Sequence, residues 1–507
     1  MNYLWDKLTQ GLRGREDRVF LETAEGVSWT YADLDLYSAR AAATLATLGV
    51  KAGDRVAVQV EKSPQALILY LATLRAGAVF LPLNPAYTSA EVAYFLADAE
   101  PVLLVCDPSR CSDLTPVARG AGVAVIKTLG PDGRGSFAER SAASGGSFQD
   151  ATRGPEDLAA ILYTSGTTGR SKGAMLTHAN LASNAQTLAA LWRFTHEDVL
   201  LHALPIYHVH GLFVAVHPVM LSGGKLLFLA KFDPGLCLSL MDRVTVLMGV
   251  PTFYTRLLQV ETLTPDAVRT MRLFISGSAP LLEETHRQWR ERTGHVILER
   301  YGMTETNMIT SNPYQGERRV GTVGSPLPGV ALRIADPESG APLAMGEAGI
   351  IEVKGPNVFK GYWRNPEKTA EEFRKDGFFI TGDLGFMDSN GYVHLIGRAK
   401  DLIISGGLNV YPKEVEAELD ALPGVVESAV IGLPHTDFGE AVAAAVVLEE
   451  GVTGDEAALI AALAQKLAKF KLPKRVLFVE ALPRNAMGKV QKNVLRELHR
   501  ELLQPLG

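Results

Sequence analysis

The sequence predicts an α/β protein built of βαβ units, with a barrel-like antiparallel part and a small α+β part at the C-terminus. Three observations lead there. Between Thr30 and Cys106, short apolar runs alternate with amphipathic stretches of helical length, as parallel βαβ units require. From Gly321 to Leu395, Gly and Pro recur among short alternating runs such as Ile350-Ile351-Glu352-Val353-Lys354, the pattern of antiparallel, barrel-like strands. Beyond Leu402 about a hundred residues carry their own strand and helix signals, enough for a separate small domain.

Taken in order, a helical pattern after Thr30 runs to Leu48 and stops at Gly49, and Arg55 to Val60 reads as a strand. Ser63-Pro64 opens a second helix ending near Gly77, Val79 to Leu83 is again a strand, and Thr88 with Glu91 forms a capping box for a helix to Asp98. Gly130 to Asp157, rich in Gly, Ser and scattered charge, reads as a linker or long surface loop. Strands follow at Asp198 to Leu204, Gly224 to Leu229, Thr245 to Val250, Leu273 to Ser276 and Val296 to Tyr301, with a helix from Thr252 to Val260. No G-x-G-x-x-G follows the first strand, so a dinucleotide site is not indicated.

With 507 residues, 47% apolar and 21% charged, the chain can bury a large core and divides into two to four domains. A net charge of −6 with no basic blocks argues against nucleic acid. Three cysteines without C-x-x-C spacing argue against a disulfide framework or a structural zinc. No apolar run reaches the length of a membrane span, and Met1 to Arg15 lacks a secretory pattern, so a cytoplasmic protein without a membrane partner is expected.

The most informative stretch is Thr164-Ser165-Gly166-Thr167-Thr168-Gly169-Arg170-Ser171-Lys172. An apolar strand-like entry runs into hydroxyls and glycines closed by a cation, a loop able to aim many N–H and O–H groups at one phosphate. Its spacing is not that of G-x-x-x-x-G-K-[ST], which disfavours a kinase or GTPase. His208 and His210, beside Pro205 and Gly211, are either core histidines or a pocket wall. Arg256 is read as lying in the apolar face of its helix, among Phe253, Tyr254 and Leu257; it is either a ligand anchor or a snorkelling or ion-paired arginine.

Four spaced signatures, the loop at 164 to 173, Tyr301-Gly302-Met303-Thr304-Glu305, Thr381-Gly382-Asp383, and Gly397-Arg398 to Asp401 with Gly488-Lys489, together resemble the adenylate-forming superfamily. That superfamily comprises acyl-CoA synthetases, peptide-synthetase adenylation domains and luciferases. At closer range, Leu162 to Leu181, Ala203 to His208 and Gly249 to Tyr254 are similar to malonyl-CoA synthetases. The resemblance implies a large domain, 1–398, of βαβ sheet subdomains plus a distorted β-barrel, and a small α+β domain, 399–507, turning on a hinge at Lys400.

It further implies an acid-thiol ligase that joins malonate or methylmalonate to CoA through malonyl-AMP, using ATP and Mg²⁺. Thr164, Ser165, Gly166, Thr167, Thr168, Gly169 and Lys172 would hold the β- and γ-phosphates, Thr304 the α-phosphate, and Glu305 the Mg²⁺. Tyr301 and Gly302, with Gly277, Ser278 and Ala279, would receive adenine, and Asp383 with Arg398 the ribose. Lys489 would supply positive charge where the carboxylate attacks the α-phosphate. Gly406 and Gly407 would serve the CoA half-reaction after rotation about Lys400. Arg256 would anchor the spare carboxylate of a dicarboxylate, with His208, Val209 and Met303 lining a short pocket. The alternatives are a short-chain or aromatic acyl-CoA synthetase and a stand-alone adenylation domain loading a carrier protein.

Overall fold

A computed structural model describes residues 1–164, 171–405, 408–435, 438–485 and 488–503. The chain forms two compact units, the first comprising Met1–Val320, Gly324–Ala331 and Lys354–Phe379, the second Gly321–Val323, Leu332–Val353 and Ile380–Gly507.

The first unit is built on two sheets. A six-stranded sheet centres on Arg55–Gln59, with Val79–Pro82 and Leu103–Cys106 parallel on either side. Its far edge is Leu158–Thr164 paired antiparallel with Lys172–Thr177, the two strands that flank the Ser/Thr/Gly loop. The expected helix starts are present and physically explained. Ser63 caps the helix Pro64–Arg75, and Thr88 and Glu91 exchange hydrogen bonds in a full capping box before Ser89–Ala99. Each cap satisfies amide donors that the first helical turn leaves unpaired.

One expectation is corrected. The stretch 130–157, read as a linker, contains the helix Ser136–Ala142, which sets Phe137 into the core. Farther along it, Asp150 accepts a 2.6 Å hydrogen bond from the buried Arg75. Composition concealed both, because one apolar side chain and one carboxylate are enough to pin a polar segment.

The second sheet of this unit has nine strands. Val199–His202 lies between Lys225–Phe228 on one side and Val246–Gly249 on the other, both parallel to it. Beyond Val246–Gly249 follow Leu273–Ser276 and Leu298–Met303, also parallel. Chain order therefore reverses at Val199–His202, and the carboxyl ends of strands flanking such a reversal form the crevice where open α/β sheets bind ligands. Behind it, Trp289 packs edge-on against Tyr254 and Phe274, all three fully buried.

The second unit holds almost all of a four-stranded sheet ordered Ala331–Ala335, Gly349–Lys354, Phe379–Met387, Val393–Arg398. It also holds a five-stranded sheet whose long pair, Val425–His435 and Gly439–Leu448, is antiparallel. Alternate residues of that pair feed two cores. Val430, Val442, Ala444 and Val446 meet Val415, Leu419 and Leu463, whereas Ala429, Ile431, Leu433 and Ala443 meet Leu482 and Leu495. Among the described residues no helix is long and apolar enough to cross a membrane.

Candidate active site

Three chain passages reach the carboxyl ends of the nine-stranded sheet. The first, after Val199–His202, leads into a π-helical segment, His210–Ala215. Such wide turns cost regular hydrogen bonding and gather at functional sites. Val209 is buried at its start, and half-buried His208 accepts the His210 N–H through Nδ1 at 3.4 Å. The second passage, after Leu273–Ser276, holds Ser278 at φ 72°, a conformation that strains a non-glycine residue. That turn puts Ser278 Oγ 3.2 Å from His210 Nδ1.

The third passage brings in Arg300, a residue that the sequence reading did not single out. It is 2% exposed, and among the described residues its Nε and Nη2 have no hydrogen-bond partner. His210 Nε2 and Ser276 Oγ are likewise buried and unpartnered. Neighbouring Glu299 turns instead to the Leu281 N–H and to His286, each at 3.4 Å. A Cβ on Gly277 would stand 2.5 Å from the Arg300 guanidinium, so any side chain there would force the end of Arg300 to shift. Burial pushes the Arg300 pKa down to about 9. Burial, then the Arg300 charge, holds His210 well below the ordinary imidazole range. A guanidinium desolvated without a bonded anion is expensive, and an incoming carboxylate would relieve that cost.

Past Arg300 the strand continues through Tyr301, which is buried, and turns at Thr304-Glu305-Thr306 into Asn307–Ser311. Gly302 is again sterically required, because a Cβ would meet the Asn307 carbonyl at 1.9 Å. Met303 and Thr304 are half-buried, as is Ala279 on the neighbouring loop, whereas Glu305 is 5% exposed. The Glu305 carboxylate lies 3.1 Å from the Tyr362 hydroxyl, which also donates to Glu372 at 2.5 Å. Glu372 in turn binds Lys172 Nζ at 3.0 Å, and the ammonium sits 4.7 Å over the Tyr362 ring. Thr164, half-buried, directs Oγ1 to the Lys172 carbonyl at 3.5 Å. Lys172, Glu305, Tyr362 and Glu372 are thus one connected group.

A second charged group lies within the second unit. Asp383, buried, stands opposite Arg398 in the register of Phe379–Met387 with Val393–Arg398, and their side chains pair at 2.8 Å. Gly382 at φ 70° makes the preceding kink, and Thr381 Oγ1 accepts the Asp383 N–H. Lys489 follows Gly488, at φ 73°, in a tight turn closed by the Asn485 N–H on the Lys489 carbonyl. Although Lys489 is exposed as a whole residue, desolvation, then repulsion from Arg398, lowers its pKa to about 8, with Asp383 and Asp401 opposing. Burial likewise lowers Lys400, which sits in the short turn Ala399–Asp401 directly after Arg398.

The expected surroundings of Arg256 are corrected. The helix Pro251–Leu258 buries Phe253, Tyr254 and Leu257, and Arg256 is on its exposed side. Ser165, Gly166, Thr167, Thr168, Gly169, Gly406 and Gly407 lie outside the described residues. Among the described residues, no group of three or more His, Cys, Asp or Glu is placed to hold a metal ion. A Mg²⁺ ion needs fewer, since it is commonly held by one or two carboxylates together with phosphates and water.

Residues 8–363 match the model for the AMP-binding enzyme family, and 414–489 that for the AMP-binding enzyme C-terminal domain. The chain belongs to the AMP-binding enzyme family. It is similar to the ATP-bound crystal structure of MatB from Rhodopseudomonas palustris, with 60% identity, a TM-score of 0.97, and 99% of this chain and 100% of that one covered. It is also 37% identical to a malonate–CoA ligase of Arabidopsis thaliana, over 88% of this chain and 78% of that protein. A feruloyl-CoA synthase of Amycolatopsis is 38% identical, over 93% and 94%.

Proposed function

We propose that the protein is a malonate–CoA ligase: malonate attacks the α-phosphate of ATP, pyrophosphate leaves, and the CoA thiol then displaces AMP from malonyl-AMP. The observation that carries the choice of acid is Arg300, buried with Nε and Nη2 unpartnered among the described residues, beside His210 and Ser278. A dicarboxylate keeps one carboxylate after activation, and a desolvated guanidinium is the group that can receive it. A feruloyl or fatty chain offers no anion to that cation. In this proposal Arg300 is the principal anchor, exposed Arg256 a weaker second cation, and His208, Val209 and Met303 the neighbouring wall. Methylmalonate, one methyl larger, is discriminated by about 1–3 kcal/mol.

The remaining roles form one proposal. Thr164 to Lys172 cradle the β- and γ-phosphates and Thr304 the α-phosphate; Tyr301 and Gly302, with Gly277 to Ala279, border the adenine. Glu305, a buried carboxylate in the turn that follows Tyr301, would supply an oxygen ligand to Mg²⁺, a hard cation that takes few protein carboxylates. When bound, that ion would offset phosphate charge. Asp383 and Arg398 receive the ribose, and Lys489 stabilises the charge that develops during attack. The domain division at 398/399, the hinge at Lys400 and the use of Gly406 and Gly407 for CoA belong to the same proposal. So does a cytoplasmic location, supported by three free cysteines. Labelled pyrophosphate exchange into ATP tests the reading: malonate should drive it more strongly than acetate or benzoate, and an absence of exchange with every acid would refute it.

A further inference from the structure

The Lys172 ammonium has a protein partner of its own. Glu372, on the helix Pro366–Glu372, holds it at 3.0 Å, and both side chains are largely withdrawn from water, 13% exposed for Lys172 and 21% for Glu372. Two further donors converge on the same carboxylate, the Tyr362 hydroxyl at 2.5 Å and Lys368 Nζ at 3.3 Å. Glu372 therefore remains solvated by protein groups if Lys172 departs. Charge-assisted pairs of this kind are strong in partly buried settings, and an ammonium held by one anion is not available in full to another.

We propose that Glu372 is a positioning residue for nucleotide binding: it latches Lys172 beside Tyr362 and yields it to the ATP polyphosphate. The inference rests on the reading of this site as an ATP site. Nucleotide must compete with the carboxylate for the cation, so the latch sets ATP affinity lower than the loop alone would reach. Tyr362 places the latch next to Glu305: its hydroxyl donates to Glu372 at 2.5 Å and lies 3.1 Å from the Glu305 carboxylate, while Lys172 is tied to it through Glu372 and over its ring. A purely structural ion pair would instead support folding and leave nucleotide affinity unchanged.

The test is calorimetric titration of ATP, with and without Mg²⁺, into the full chain. Glu372→Gln keeps the shape and the Tyr362 hydrogen bond while removing the charge. It should bind ATP roughly five-fold more tightly than the parent protein, the size expected for releasing one partly exposed ion pair. In the Lys172→Met background the same substitution should change nothing, because the cation it competes for is gone. Unchanged or weaker ATP binding by Glu372→Gln, or a gain that persists with Lys172→Met, would overturn the latch. If Glu372→Gln does not fold, Glu372→Asp, which draws the charge back by one methylene, must shift affinity in the same direction by a smaller factor. Failure of the unsubstituted protein to bind ATP would instead remove the ATP-site reading itself.

Discussion

Two arginines, each within a short reach of a family motif, are treated in opposite ways. Arg398, in the second unit, is paired with Asp383 across a strand register at 2.8 Å. Arg300, in the first, is buried, with Nε and Nη2 unpartnered among the described residues. A paired cation fixes the position of its carboxylate, whereas an unpaired buried one is held in readiness for an anion from outside. Under the proposed function, the contrast would give shape and charge management to the second unit's cluster and choice of acid to the first unit's pocket.

If that division is right, substitutions in the two places should differ in kind as well as in size. Lys489→Ala should have the largest effect, lowering malonyl-AMP formation by several powers of ten, on the order of the upper range for removing a group that stabilises transition-state charge. Conversion of supplied malonyl-AMP to thioester should survive, and equal loss of both half-reactions would erase the distinction. Arg300→Met should lower kcat/KM for malonate by roughly 10²–10³-fold, the range for truncating one partner of a buried charged pair. Acetate turnover should be unchanged or improved.

The pH dependence sharpens the same contrast. Both cations have lowered pKa values, so each loses its charge as pH rises through that value. Lys489, at about 8, acts on every acid, so turnover of malonate and acetate should fall together above that pH. Arg300, at about 9, concerns only the spare carboxylate, so the malonate-to-acetate ratio should hold to about pH 9 and decline beyond it. A ratio that is flat across that window would detach Arg300 from selectivity. Arg256→Ala should cost malonate turnover about two- to ten-fold, since an exposed cation is screened. The smallest effect is on stability: Thr88→Ala should lower it by about 1 kcal/mol in denaturant unfolding, with no change in acid preference.

Local signals carried much of this into the sequence. Ser63-Pro64 and the Thr88 to Glu91 box are read from four residues or fewer, and the parallel strands from short apolar runs. Tyr301 to Glu305 and Thr381 to Asp383 were visible as motifs because backbone constraints, such as the Gly302 contact with Asn307 and the positive φ of Gly382, demand particular residues. Arg300 was not visible. A strand buried on both faces gives no alternation to show which side chain lacks a partner, and its neighbour Tyr301 already accounted for the motif. Arg256 was placed wrongly because Phe253, Tyr254 and Leu257 form their buried stripe without it. Glu372 lies 200 residues from Lys172, a separation across which no sequence pattern reports an ion pair.

The central claim is that a buried, unpartnered guanidinium selects a dicarboxylic acid. AMP release measured side by side for malonate, methylmalonate, succinate, acetate and benzoate, in the parent protein and in Arg300→Met, tests it most directly. The account predicts a strong malonate preference in the parent that collapses toward acetate in the variant. A malonate-to-acetate preference that survives Arg300→Met unchanged would contradict it.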